Sequence, residues 1–414
     1  MNKKTIFPSI PFIIGILCGL KINIIGEVYI GEIIASIYLI LRMTKIQITK
    51  FEFNVLLLAF VWALAQTISD VVNETPFATM LKGVGTPIVF VISILALIDY
   101  FKNNMTRAPA FFLGACLGFL IYTIISGNDY FTGNPWKWGI GHFIVVLFTT
   151  IFSYYLRSQS KIVLGVFIVA FVSACMLFSS RSMALFLLMA SFLCYQYSIQ
   201  KKKSLFFLMA DSKFGFSFLC VFIIGALFVL NSVFGAIFTS EYFLENLSQE
   251  DAYKYQVQAS GDYGVLLGGR SELLISSKAF MDKPLLGHGS WAEDKSGYLD
   301  EYSWLVYNFG YSLNDSDSYT GESNLIPTHS YIMGALVWSG IFGGLIWFYF
   351  FRFLVRSYVK FYNNLNLLNN YLIISNIWNI FFSPFGADAR WFTAMSMAII
   401  YVTLYFGIDE EHNC

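Results

Sequence analysis

Charge is scarce in this chain. Asp, Glu, Lys and Arg make up 13% of the 414 residues, against 57% hydrophobic and 19% aromatic residues, and the mean hydropathy is +0.63. That leaves too little polar surface to cover a water-soluble globule, so the composition implies an integral membrane protein. Cysteine is scarce as well: Cys18, Cys116, Cys175, Cys194, Cys220 and Cys414 lie in apolar stretches or at the terminus. Their placing excludes a disulfide-stapled loop scaffold and offers no zinc spacing. There is no excess of basic charge, because 26 Lys and Arg balance 26 Asp and Glu, and hence no reason to invoke nucleic acid. With only four histidines in the chain, a histidine at a helix mouth calls for an explanation.

Long apolar runs are what the chain has in abundance. A spanning helix takes about 20 mostly apolar residues, and twelve stretches qualify, beginning near Thr5, Gly26, Phe53, Met80, Ala108, Lys137, Lys161, Ser182, Phe214, His329, Leu367 and Trp391. The expected fold class is an all-α integral membrane protein of about 12 transmembrane helices. It divides into helices one to nine (1–239), a large outer loop with short helices (240–328), and helices ten to twelve (329–414). The first stretch lacks a small-residue cleavage site and reads as a retained span. The run from Lys161 to Ile199 is about twice a bilayer core in length, so it folds back at "SSRS", Ser179 to Ser182.

Lys and Arg set the orientation. Both termini placed in the cytoplasm put sixteen of the 26 bases on inner segments, among them Arg42, Lys45, Lys50, Lys102, Arg107, Arg352, Arg356 and Lys360. The 240–328 loop then faces outward. It carries fourteen acids against five bases, so each base there calls for a reason. Its aromatics include Trp291, Tyr298 and Trp304, and rings beside carboxylates suit sugars, whose C–H faces stack and whose hydroxyls need acceptors. An interfacial belt of Trp and Tyr is the plainer alternative.

Three residues stand out. Arg181 sits at the outer face where the Lys161–Ile199 run turns, suited to a lipid phosphate or to a snorkelling anchor. Arg270, behind Gly268 and Gly269, opens a helix expected to reach about Asp282 before Pro284, where free N–H groups favour an anion. A surface salt bridge is its simpler role. His329 follows Pro327 and Thr328 and is expected in the first turn of helix ten, where the dipole disfavours a second positive charge and leaves the imidazole able to act as a base. Helix capping is the alternative there.

Taken together, "SSRS", the glycine–arginine opening a loop helix that ends in "KPLLGHGSW", and "THSYIMGALVWSGIFGGLIWF" resemble the O-antigen ligase and polymerase superfamily, most specifically over residues 179–345. Where that family has histidine followed by asparagine, this chain has His329 followed by Ser330. The resemblance implies a C-type glycosyltransferase-like fold in the bacterial inner membrane with its active site facing the periplasm. It implies transfer of a glycan from undecaprenyl diphosphate to a sugar hydroxyl, without metal or other cofactor. Arg181 and Arg270 would grip the diphosphate and His329 would act on the acceptor hydroxyl, with Arg390 and Lys82 as further phosphate contacts or anchors. The implied partners are the lipid-linked oligosaccharide donor, an acceptor glycan, the lipid bilayer and a chain-length regulator.

A polymerase, whose acceptor is another lipid-linked repeat unit, fits the acidic, aromatic loop better than a ligase acting on lipid A-core. A multi-span transporter is the alternative of another class, but the two halves do not repeat, and in the outer leaflet only Glu32 lies clearly inside a span. Asp315 and Asp317 have a two-acid spacing that would suit a metal-dependent enzyme, yet they sit in a turn-like segment with no nucleotide-binding pattern around them.

Overall fold

Apolar runs that cannot satisfy their backbone with water coil into helices, and the helices assemble into a bundle. The structure is a computed structural model describing residues 8–23, 26–127, 134–156, 161–178, 180–199, 240, 245, 272–301, 304 and 324–407. In chain order the elements are α1 (Ser9–Cys18), a hairpin of β1 (Lys21–Asn23) and β2 (Glu27–Tyr29), α2 (Ile30–Arg42), α3 (Lys50–Val72), α4 (Phe77–Lys102) and α5 (Arg107–Ser126). A π-helical turn, Trp136–Ile140, runs into α6 (Gly141–Tyr154), followed by α7 (Lys161–Leu177) and α8 (Arg181–Ile199). Then come α9 (Glu272–Asp282), α10 (Tyr331–Phe361), α11 (Leu367–Phe382) and α12 (Ala387–Tyr405).

Every expected apolar stretch among the described residues is helical, and the ninth, near Phe214, lies outside them. Among the described residues four helices, α3, α4, α5 and α10, are long and apolar enough to cross a membrane, while α1, α6, α7 and α8 hold shorter apolar stretches. The stretch near Gly26 differs from expectation: residues 27–29 pair in the hairpin, so α2 keeps 13 residues, about 20 Å of helix. The turn between α7 and α8 falls where "SSRS" places it.

Small residues let helices touch backbone to backbone. A methyl group added at Gly15 of α1 or at Gly19, its C-cap, or at Gly114 or Gly118 of α5, would stand 2.0–2.4 Å from a carbonyl of the facing helix. One end of the bundle gathers charge. Asp99 in the last turn of α4 accepts from Tyr38 (2.8 Å) and pairs with Arg42 (3.2 Å) and Lys102 (3.3 Å), and Lys102 also reaches Glu52. The bases that gather at this end are ones the sequence groups on one side of the membrane.

Helix α10 departs most from its apolar pattern. It reads as one span beginning at His329, but Ser330 is its N-cap and the helix breaks at Ser339 (φ −131°) and Gly340 (φ +67°). The break is filled by the turn after α9. His288 and Gly289 donate their N–H groups to the carbonyls of Val337 (2.7 Å) and Trp338 (3.0 Å), and Ile341 N–H donates to Pro284 O (2.8 Å). Ser69 of α3 adds its hydroxyl to Trp338 O at 2.7 Å.

The fit leaves no room at Gly340, where a Cβ would stand 2.2 Å from Leu285 O. Gly340→Ala therefore combines left-handed strain with a backbone collision and is expected to destabilise the protein by at least about 1–3 kcal/mol. Gly85→Ala, with nothing within 4 Å of the new methyl, serves as the control. Thermal unfolding of both variants in the same detergent checks this, and equal melting temperatures would refute the account.

Candidate functional site

The chain approaches α10 as an extended segment pinned on several sides. Leu325 bridges Glu293, Asp294 N–H donates to Asn324 O (2.7 Å), and Ile326 N–H donates to Ala292 O (3.0 Å). From α9, Ser276 Oγ donates to Pro327 O (2.7 Å). Ser330 closes the approach: its Oγ accepts from Met333 N–H (3.3 Å) and donates to Ile380 O (2.9 Å). His329 thus lies one residue before the N-cap rather than in the first turn, because Ser330 is extended (φ −151°, ψ 140°) and its hydroxyl takes the capping role.

His329 lines a cleft of about 310 Å³. Its walls are the rings of Trp62, Trp291, Tyr331, Trp338 and Phe385, and its polar lining is Glu272, Thr328, His329 and Ser330. Trp291 holds a left-handed backbone (φ +46°) that non-glycine residues seldom adopt, and its ring packs on Trp338 with centroids 4.7 Å apart. Glu272, the first residue of α9, is 4% exposed, and its Oε2 has no hydrogen-bond partner. Among fourteen loop acids nothing in the sequence marked it out. The available signal was its position two residues after Arg270, at the start of an expected helix.

The other expected site residues fall as follows. Arg270 lies outside the described residues, as do Asp315 and Asp317. Arg181 is the first residue of α8. Helix α8 runs antiparallel to α11, with Cys194 beside Asn370 (3.1 Å) and Phe186 against Trp378 (5.6 Å). The Arg181 end of α8 therefore lies toward the Pro384–Gly386 turn that lines the cleft. Lys82 is exposed near the start of α4 and makes no ion pair among the described residues. Arg390 grips Glu32, with Nε on Oε1 (2.6 Å) and Nη2 on Oε2 (2.8 Å), and Nη2 also reaches Glu27 O (3.1 Å).

Compared with protein-family models, curated proteins and solved structures, the chain matches none. The chemistry of the site is therefore read from its own residues.

The Glu32–Arg390 pair ties α2 to α12, and the two side chains are 1% and 11% exposed. Removing one partner strands the other's buried charge. Glu32→Ala is expected to cost about 3–5 kcal/mol, and adding Arg390→Leu to it should recover part of that loss. Lys82→Ala should stay within about 0.5 kcal/mol. Chemical denaturation of the three variants decides it, and a neutral Glu32→Ala would show that the pair does not hold the helices.

Behind the cleft, the loop is fastened to α3 through a buried carboxylate that the sequence did not single out. Asp70 accepts from Ser290 N–H (2.6 Å) and Ser290 Oγ (2.8 Å), and Gln66 donates to Ser290 Oγ (2.8 Å). Next to it, Asn73 donates to Gly287 O (3.2 Å) and accepts from Lys283 (2.8 Å). His288 Nε2–H donates to Ala279 O at 2.8 Å.

Burial holds His288 below its ordinary value of 6.5; Lys283 adds to the lowering, and the hydrogen bond to Ala279 opposes it. As pH falls, the unfolded chain takes up this proton first. Neutral His288 therefore contributes stability that is complete above pH 6.5 and is lost as pH drops through the folded-state pKa. The melting temperature should fall more between about pH 7 and pH 5 in the parent than in His288→Gln. Parallel pH profiles for the two proteins would remove His288 from the acid response.

Proposed function

We propose that this chain is a membrane glycosyltransferase of the polysaccharide polymerase kind. It moves a glycan from undecaprenyl diphosphate to a sugar hydroxyl of another lipid-linked repeat unit. The observation that carries the reading is His329 in an aromatic, carboxyl-bearing cleft at the mouth of α10. In this reading about twelve spans cross the bacterial inner membrane, both termini are cytoplasmic, and the cleft opens to the periplasm.

The chemistry follows from the leaving group. The acceptor oxygen bonds to the donor's anomeric carbon as the bond from that carbon to the diphosphate breaks, and His329 takes the hydroxyl proton. Diphosphate leaves readily, so the larger task is to stabilise its developing charge. Guanidiniums of Arg181 and Arg270 suit that task through bidentate contacts. Arg390, already forked onto Glu32, serves as an anchor between helices.

Two features favour a transferase over a transporter. The acids Glu32, Glu52, Asp70 and Asp99 are buried, but each lies at a helix end in the company of a partner. Ion pathways instead put ionisable groups near the bilayer midplane. The cleft also joins stacking faces to hydrogen-bonding groups, as a sugar requires.

His329→Ala should keep donor binding and lose turnover by about 10²- to 10⁴-fold. Donor affinity, folded yield and turnover are measured on one preparation of full-length protein with lipid-linked donor. A folded and fully active Ala variant ends the assignment of His329 as base, and loss of donor binding would make it a phosphate ligand instead.

A further inference from the structure

Glu272 is a buried carboxyl without a bonding partner for Oε2, whereas the other buried acids among the described residues, Glu32, Glu52, Asp70 and Asp99, each have a hydrogen-bonding or charged partner. It is 96% withdrawn from solvent, as its 4% exposure shows, and no Lys or Arg among the described residues comes within ion-pairing distance of it. The cleft it lines also holds the rings of Trp62, Trp291, Tyr331, Trp338 and Phe385. An unsatisfied buried carboxyl is costly, and the chain has not escaped the cost by turning the side chain to water. Its position is fixed from behind, because Ser276 one turn along α9 is bonded both to Glu272 O (2.6 Å) and to Pro327 O (2.7 Å). The first turn of α9 is thereby tied to the same segment that carries His329.

We infer that Glu272 is the sugar-binding carboxyl of the cleft, accepting a hydrogen bond from a hydroxyl of a pyranose ring that stacks on Trp291. This rests on the transferase reading for its biological meaning and names the contact by which the glycan is held. The ligand must supply a donor to the carboxyl and an apolar face to the rings, and a pyranose does both. Trp291 is 37% exposed while packed at a tilt against Trp338, so one partner supports the ring and the remainder is open to ligand. The sugar belongs either to the donor or to the acceptor; its chemistry is the same in both.

The test uses the full chain in lipid nanodiscs, free of sugar-based detergent, with tryptophan fluorescence followed during titration with neutral and N-acetylated monosaccharides up to about 100 mM, the range of weak single-sugar affinity. At least one sugar should give saturable quenching in the parent. Glu272→Gln and Glu272→Ala should weaken it by about tenfold to a hundredfold, the effect of losing a hydrogen bond to a charged group. Glu272→Ala should melt at the parent's temperature or above it, since an unsatisfied buried group has been removed, and Glu272→Gln, which keeps a polar group of the same size, should melt close to the parent.

No saturable quenching in the parent, unchanged affinity in both variants, or a fall in melting temperature that accompanies the loss of binding would each overturn the assignment. So would saturation by tetramethylammonium alone, which would make the cleft a cation site. Steady-state transfer separates the sources: a raised KM for the lipid-linked acceptor places Glu272 on the acceptor sugar, and a raised KM for the donor places it on the donor sugar. If the parent binds sugar through Glu272 yet forms no glycan, the transferase reading fails and this one stands. If transfer proceeds and Glu272 is indifferent to sugar, the reverse holds.

Discussion

A helix inside a bundle can break only where other groups take over its backbone hydrogen bonds, and the architecture of the site depends on one such break. At Ser339 and Gly340 the turn that follows α9 enters the gap. His288, Gly289 and Pro284 answer the groups that α10 leaves open. The constraint is mutual: a Cβ at Gly340 would strike Leu285 O, and one at Gly287 would strike the Trp338 backbone at 2.6 Å. Ser69 and Asp70 of α3 then hold the assembly from behind, through Trp338 O and Ser290. The turn after α9 is thereby joined to the bundle, and α9 arrives at the mouth of α10 with its first residue in the cleft.

Two glutamates in that framework occupy comparable places and meet different fates. Glu32 and Glu272 both lie in the first turn of a helix and both are buried. Glu32 is saturated: Arg390 forks onto it and Tyr29 N–H donates to it at 3.0 Å. Its task is to join α2 to α12. Glu272 has no such partner for Oε2 and faces a lined cavity. Burial alone therefore does not distinguish the two glutamates; the state of their hydrogen bonds does.

Local signals in the sequence were legible and distant ones were not. Pro284 after an amphipathic run marked the end of α9 at Asp282, "GHG" marked a turn whose glycines have φ of +72° and +88°, and "SSRS" marked the hairpin between α7 and α8. Each is written in a few adjacent residues. The break in α10 is not, because "WSGIFGG" stays apolar throughout and the partners that permit the break lie about fifty residues upstream. The same applies to the cap, where Pro327 and Thr328 suggested a start two residues too early and Ser330 is selected by its bond to Ile380 O. Asp70 and Glu272 were two acids among many until the fold gave one of them Ser290 and left the other without a partner for Oε2. His329 was legible because histidine is rare here, and its cleft was not, because five separate parts of the chain line it.

The rings of the cleft floor continue into the core without interruption. Tyr331 packs on Phe385 (4.9 Å), Phe385 on Trp347 (4.7 Å), and Trp347 on Phe90 (5.7 Å), with Trp62 against Trp347 at 5.9 Å. Trp62, Tyr331 and Trp347 are at most 3% exposed, so the floor moves only if the bundle repacks. A site built this way holds its groups in place by packing rather than by ligand binding. The outer wall differs: Trp291 is partly exposed and carries a strained backbone held by the ring beneath it. The Trp291 side is therefore the wall with freedom to adjust, while the backbone on either side of His329 is pinned through Pro327 and Ser330.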